Sequence, residues 1–350
     1  MLSRSLMACA ALLAGNVSAF AQKPPALTPA ENKVVANSLD IVRGCQLPNG
    51  AFNMVDDGKL PNSPVWIPPY FANFGALALA VNAEKNKNAG DLKRVEAWLN
   101  WCVKHQDLQG FFYDQHGTIA KHDASKKFVD AWDSSAAMFL IVVERYQRAG
   151  GKITPGIEAA CKKALACIEK VTIKGGLTIA KPDHPVMYLM DNIETRAGLN
   201  AASAIFTKLK DAETAKAAAN QAKEITALLA KYHDAVKGEF AWAKHPKNSY
   251  ERGMEKLYPN GLAQLFGIMS IKPDAKAWEV TTKAFKPEVN PLGTGAERFY
   301  LAAIKIGGAD AKVWRVNTIA DATTFTNKNV YIHRPALVAL AFLDGADWLP

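Results

Sequence analysis

Apolar positions recur along this chain at the i, i+3, i+4, i+7 spacing of amphipathic helices, broken by polar loops of two very different lengths. The pattern predicts twelve helices, near 29–45, 69–86, 89–106, 129–149, 154–172, 187–208, 210–235, 254–269, 273–286, 290–306, 308–320 and 332–345. Loops after even-numbered helices are short, and most loops after odd-numbered helices are long. Within four of the long loops a glycine turn repeats: Gly50-Ala51-Phe52, Gly110-Phe111-Phe112, Gly176-Leu177-Thr178 and Gly238-Glu239-Phe240. The intervals are 60, 66 and 62 residues, the length of a helical hairpin with one elaborate loop.

Stacked antiparallel hairpins place every odd-to-even loop on one face, so nearly all the irregular sequence gathers there. Even-numbered helices carry small and apolar residues almost all round, as in Phe74 to Ala80 and Ser134 to Leu140, whereas 211–232 is charged on one face. An inner ring of even helices inside an outer ring of odd helices follows, an all-α (α/α)6 toroid over residues 22–350 whose long loops line a mouth. An open α-solenoid is the alternative, since repeats alone do not demonstrate closure.

Residues 1–21 read as an export signal: Arg4 begins it, Leu6 to Val17 form the apolar segment, and Ala19-Phe20-Ala21 supplies a cleavage site. No apolar stretch precedes Leu6-Met7-Ala8-Cys9, which argues against lipid attachment at Cys9. A periplasmic or secreted location is expected, and no later segment is apolar for long enough to span a membrane. Oxidising surroundings permit disulfides. Cys161 and Cys167 point different ways from one helix, whereas Cys45 and Cys102 close corresponding helices and are expected to pair.

The net charge of +9, one less once Arg4 is removed with the leader, favours an acidic partner such as an anionic polysaccharide. Simple solvation of helix faces and ends that carry Lys85, Lys87, Lys208, Lys210, Lys216 and Lys223 is the stronger account of it. Nothing interleaves basic and aromatic residues as a nucleic-acid surface would. Dinucleotide, phosphate-loop, zinc-protease and serine-hydrolase motifs are missing, and the seven histidines lack metal-ligand spacing, so neither cofactor nor metal is called for. Asp56, Asp57 and Asp114 leave room for a loop-bound calcium.

Acids and aromatics converge where inner helices start. Asp130 and Asp133 stand three apart, as do Asp191 and Glu194 on the next inner helix. Asp130 has an innocent role as a helix cap, but Asp133 stands in an apolar, small-residue helix where an uncompensated carboxylate is costly. Two acid pairs at one mouth suit glycosidic-bond hydrolysis, which needs one proton donor and one carboxylate to activate water or attack carbon. Trp66, Tyr70, Phe112, Tyr113, Trp132, Tyr188, Trp242 and Tyr258 stand in or beside the same loops, where they can stack on sugar rings or pack loops onto helices.

With these residues in view, the chain resembles the six-hairpin glycosidase superfamily over its mature length. The segments that carry the likeness are 66–73 (with Trp66, Tyr70 and Asn73), 130–137, Tyr188 to Glu194 (with Asn192) and Tyr258 to Gln264. The resemblance implies an (α/α)6 toroid acting on oligo- or polysaccharides through paired acids at inner-helix ends. A lyase acting on a uronate-containing glycan is a competing reading, for which Lys181, Arg298, His333 and Arg334 supply cations and a base. A non-catalytic carbohydrate-binding protein is another.

Overall fold

The computed structural model describes residues 26–56, 60–124, 127–247, 249–286, 295–308, 310–328 and 330–349, so the expected signal and Asp57 lie outside it. Among the described residues twelve α-helices form: α1 (Pro29–Gly44), α2 (Pro69–Asn86), α3 (Ala89–His105), α4 (Trp132–Arg148), α5 (Pro155–Val171), α6 (Leu189–Lys208), α7 (Ala212–Leu229), α8 (Leu262–Ser270), α9 (Ala275–Ala284), α10 (Ala296–Ile306), α11 (Asp310–Ala322) and α12 (His333–Leu343). None is long and apolar enough to cross a membrane.

The even helices pack in sequence, α2 on α4, then α6, α8, α10 and α12, and α12 returns to α2. That contact closes the ring. On the outside, Glu31 of α1 pairs with Arg315 of α11, and between the rings Ile332 N donates to Met54 O at 2.8 Å. The open solenoid is therefore excluded. Small residues let inner helices approach: a Cβ on Gly198 of α6 would stand 2.6 Å from the Ala137 Cα of α4. Ala76 and Ala136 are buried as an inner ring demands. Outer helices bury one stripe only, as α7 does with Ala215, Ala218, Ala222, Ile225 and Leu229.

The repeating glycine turns have a common job. Gly50, Gly110, Gly176 and Gly238 have φ of +92°, +94°, +96° and +66°. Their Cα faces press on the next outer helix: Ala97 O would lie 2.6 Å from a Cβ on Gly50, and Lys163 O 2.2 Å from one on Gly110. Each turn thus serves as a spacer between an outer helix and the mouth loops, and at Gly50 and Gly110, where the neighbour is backbone, only glycine fits both the dihedral and the gap.

Short strands bind the loops to one another. β1 (Pro64–Ile67), β2 (Gln115–Thr118) and β3 (His122–Asp123) form one antiparallel sheet, with Trp66 opposite His116. After β4 (Met187–Tyr188), the loop between α7 and α8 holds a hairpin of β5 (His233–Asp234) and β6 (Glu239–Phe240), then β7 (Ala243–Lys244) and β8 (Tyr250–Glu251). β4, β7 and β8 make a second three-stranded sheet.

Three expectations are corrected. No disulfide joins Cys45 to Cys102. The segment after Cys45 meets α3 at Arg94 and Ala97, where Gln46 Nε2 donates to Arg94 O at 2.8 Å, more than a helical turn before Cys102. Cys161 and Cys167 are buried thiols. The helix expected over 254–269 begins only at Leu262, because Tyr258 is extended (φ −109°, ψ 127°), as the residue before Pro259 prefers. The helix expected from 129 starts at Trp132, since Ala131 is extended too (φ −136°, ψ 134°).

Candidate active site

A cavity of about 970 Å³ opens among the mouth loops, lined by the starts of all six inner helices and the loops before them. Asp130, Lys181, Tyr188, Asp191, Glu194, Tyr258, Arg298, His333, Arg334, Trp66 and Tyr70 all line it. Those eleven sequence candidates are brought together. Among the described residues, Glu297, Asp183, His184 and Tyr331 join them and were not singled out as site residues beforehand. Glu297 could have been found, since it stands beside Arg298 at an inner-helix start, but Asp183 and Tyr331 carry no sequence signal beyond loop position.

Glu194 stands at the centre. It is 1% exposed, and Tyr70 Oη donates to its carboxylate at 3.0 and 3.2 Å. Burial drives the Glu194 pKa up to about 8, with the Tyr70 bond and the Arg298 charge opposing, and Asp133 and Asp130 adding to the rise. Asp191, one helical turn earlier on α6, is also pushed well above the carboxylate range by burial and by Asp133, Glu194 and Asp130. Asp130 is more open. Burial raises its pKa while Lys181 lowers it. Burial and mutual repulsion therefore act on all three carboxyls in the same direction, most strongly on the two buried in α6.

Asp133 does not line the cavity. It is fully buried behind the wall, where Thr178 Oγ1 donates to Oδ2 at 2.7 Å and Ser134 N to Oδ1 at 2.8 Å. Its pKa is raised to about 6, by burial first, with the Thr178 and Ser134 bonds opposing. Asn192 lies in the same layer, accepting from Thr178 N at 2.9 Å and donating to Thr178 O and Tyr188 O at 3.0 Å each. Asp133 and Asn192 together clamp the third glycine turn between α4 and α6, and so fix Asp191 and Glu194 relative to Asp130.

Asn73 is likewise buried, accepting from Trp98 Nε1 at 2.9 Å. Tyr113 donates to Asp107 Oδ2 at 2.9 Å and Trp132 packs on Phe111, both outside the cavity lining. Trp242 supports the site from behind, stacked on Tyr188 with ring centroids 5.9 Å apart. Trp66 is held by donation from Nε1 to Asp114 Oδ2 at 3.1 Å and by stacking on His116. Asp114 is thereby engaged in the rim, and Asp56 accepts from Asn327 Nδ2 at 3.1 Å.

The opposite wall is basic. Arg298 Nη1 donates to Glu297 Oε1 at 2.6 Å, and Arg334 Nη2 donates to Asp321 at 2.8 and 2.9 Å. His333, packed on Phe71, is pulled down to about 3 by burial and by both arginines, so its imidazole is neutral.

No family model and no curated protein matches the sequence. Solved structures do. A glycosidase is 12% identical, with a TM-score of 0.60 over 93% of this chain and all of that one. A novel alpha-amylase from Clostridium perfringens is 8% identical over 89% of this chain and 97% of its own, TM-score 0.56. A D-mannose isomerase aligns at 14% identity over 78% and 70%, TM-score 0.51. The chain has the same all-α toroid architecture as these structures. At such identities the likeness speaks for architecture, and the chemistry has to be argued from the cavity.

Proposed function

We propose that the protein is an exported glycoside hydrolase acting on a poly- or oligosaccharide, with Glu194 as proton donor. The observation that carries this reading is a buried carboxyl whose pKa reaches about 8, facing the same cavity as Asp191 and Asp130. At neutral pH Glu194 keeps its proton and can deliver it to the glycosidic oxygen, which otherwise leaves as a poor alkoxide. Asp130, open to solvent and beside Lys181, is the carboxylate that stays ionised and activates water. Asp191, whose pKa is raised by burial and by Asp133, Glu194 and Asp130, is a second acid on the same wall.

Trp66, Tyr188 and Tyr258 at the rim offer aromatic faces to sugar C–H surfaces. Support for a saccharide substrate comes also from the neighbouring folds, one of which has been determined as a variant in complex with glucose. Export rests on the leader-like residues 1–21.

A screen of neutral and acidic glycans with product analysis tests the proposal. New reducing ends without near-ultraviolet absorbance support hydrolysis. Unsaturated sugars would make the protein a lyase, an intact but rearranged monosaccharide an isomerase, and uncleaved yet retained polymer a binding protein.

A further inference from the structure

Building on the glycosidase reading, we infer that the wall formed by α10 and α12 seats a carboxylate, so that the saccharide bound is acidic: a uronic acid unit or a sugar with an equivalent carboxylate. Arg298 Nε is buried and has no hydrogen-bond partner. A guanidinium presents five donors in a planar fork, and Glu297 occupies Nη1. The edge that carries Nε is the one a carboxylate can grip through two parallel N–H···O bonds. Leaving that donor empty in a desolvated wall is costly, so a ligand acceptor is the natural occupant.

A second orphan stands beside it. His333 Nδ1 is also buried without a partner, and His333 opens the neighbouring inner helix. Arg298 and Arg334 both act electrostatically on His333, which places the two guanidinium groups around the imidazole. Stacking fixes these side chains: Arg298 lies 6.0 Å over the Phe266 ring and Arg334 4.9 Å over Phe325. The acids that the chemistry needs are on α6 and before α4, across the cavity, although Arg298 still reaches Glu194 electrostatically. A saccharide can therefore place its carboxylate on one wall and its glycosidic oxygen at the other. The net positive charge, one below the full sequence's +9 once the leader is removed, would draw an anionic polymer toward the protein.

The test uses the Glu194→Gln protein, which binds without cleaving, and trisaccharides of galacturonate, glucuronate and mannuronate, each beside its fully methyl-esterified form. Calorimetry should show at least one free acid binding roughly ten- to hundredfold tighter than its ester, the worth of hydrogen bonds to a charged group. Raising the salt concentration should erode that preference. Arg298→Gln should abolish it, and Arg298→Lys should retain part of it because the charge survives without the fork. Esters binding as well as acids, a preference unmoved in Arg298→Gln, or no binding by any of the three would overturn the inference. The salt dependence is read on unaltered arginines, so a folding defect in the variants cannot mask the answer. Acid preference without cleavage of any glycan by the wild type would sink the hydrolase reading alone, whereas cleavage of neutral glycans with no acid preference would sink this inference alone.

Discussion

Tyr70, in the first turn of α2, reaches across the ring to donate from its hydroxyl to both carboxyl oxygens of Glu194 on α6, at 3.0 and 3.2 Å. The bond favours the ionised form of Glu194 and so restrains a pKa that burial alone would carry higher. Tyr70→Phe should therefore move the basic limb of the pH–rate profile upward while lowering the rate at the optimum. Glu194→Gln should reduce turnover by roughly two or more orders of magnitude, the usual worth of general acid assistance. A profile unmoved by Tyr70→Phe would mean that Glu194 does not govern that limb.

Asp133 should act in the opposite sense. Its charge raises the Glu194 and Asp191 pKa values from behind the wall. Asp133→Asn keeps an oxygen to accept from Thr178, so the clamp persists while the charge is lost. The expected result is a basic limb displaced to lower pH with KM little changed. If instead kcat collapsed at every pH without displacement, Asp133 would be touching substrate in a rearranged site.

The stability of the protein should record the same buried carboxyl. The folded pKa of Glu194 is about 8 against an ordinary 4.5, so between those values the native state holds a proton that the unfolded chain releases. Stability therefore falls as pH rises through that window. Below about pH 4 both states are protonated and the cost vanishes. Glu194→Gln should melt several degrees above wild type at pH 8 and nearly with it at pH 4, by differential scanning calorimetry. Equal differences at both pH values would show that the carboxyl is not protonated on folding.

Much of the fold was legible because it is written locally. Glycine turns announce positive φ, and the small-residue runs of α2 and α4 announce neighbours on every side. The fate of Asp133 was not. Spacing of three puts Asp130 and Asp133 on one face only if both are helical, yet α4 begins at Trp132 and Ala131 is extended. One acid turns into the mouth and the other into the wall toward Thr178, a residue 45 positions away. Asp191 and Glu194 both lie within α6, and there the same spacing argument gave a shared cavity wall. Asn73 and Asn192 misled for a similar reason, since Asn73 accepts from the Trp98 indole and Asn192 clamps the Thr178 backbone, partners that no local pattern reveals.

Two glycines separate conformational strain from crowding. Gly175 has φ +112° with nothing within 4 Å of where a Cβ would stand, whereas at Gly110, φ +94°, a Cβ would stand 2.2 Å from Lys163 O. Gly175→Ala should cost about 1–3 kcal/mol from the backbone alone. Gly110→Ala should cost distinctly more, because α5 backbone cannot move aside as a side chain would. Urea denaturation of both variants checks the order, and equal losses would refute the spacer role of the repeating turn.

On the outer ring Glu31 of α1 pairs with Arg315 of α11, the first outer helix with the last. Glu31 is 2% exposed, caps α1 through the Thr28 backbone N–H at 2.7 Å, and receives both Arg315 Nε and Arg315 Nη2, the latter at 2.7 Å. Burial presses its pKa upward, but the Arg315 and Thr28 bonds prevail and hold it below the ordinary value. Removing only the cation leaves a buried charge uncompensated, so Arg315→Met should destabilise by about 3–5 kcal/mol. The double replacement Glu31→Gln with Arg315→Met should recover much of that loss, since no bare carboxylate remains. Because the folded pKa is depressed, the wild-type contribution is present above the unfolded value and fades as pH falls through the folded one, so the gap between wild type and Arg315→Met should narrow in acid. A double variant no more stable than Arg315→Met at neutral pH would show that ring closure depends on packing of α12 against α1 and α2 rather than on this ion pair.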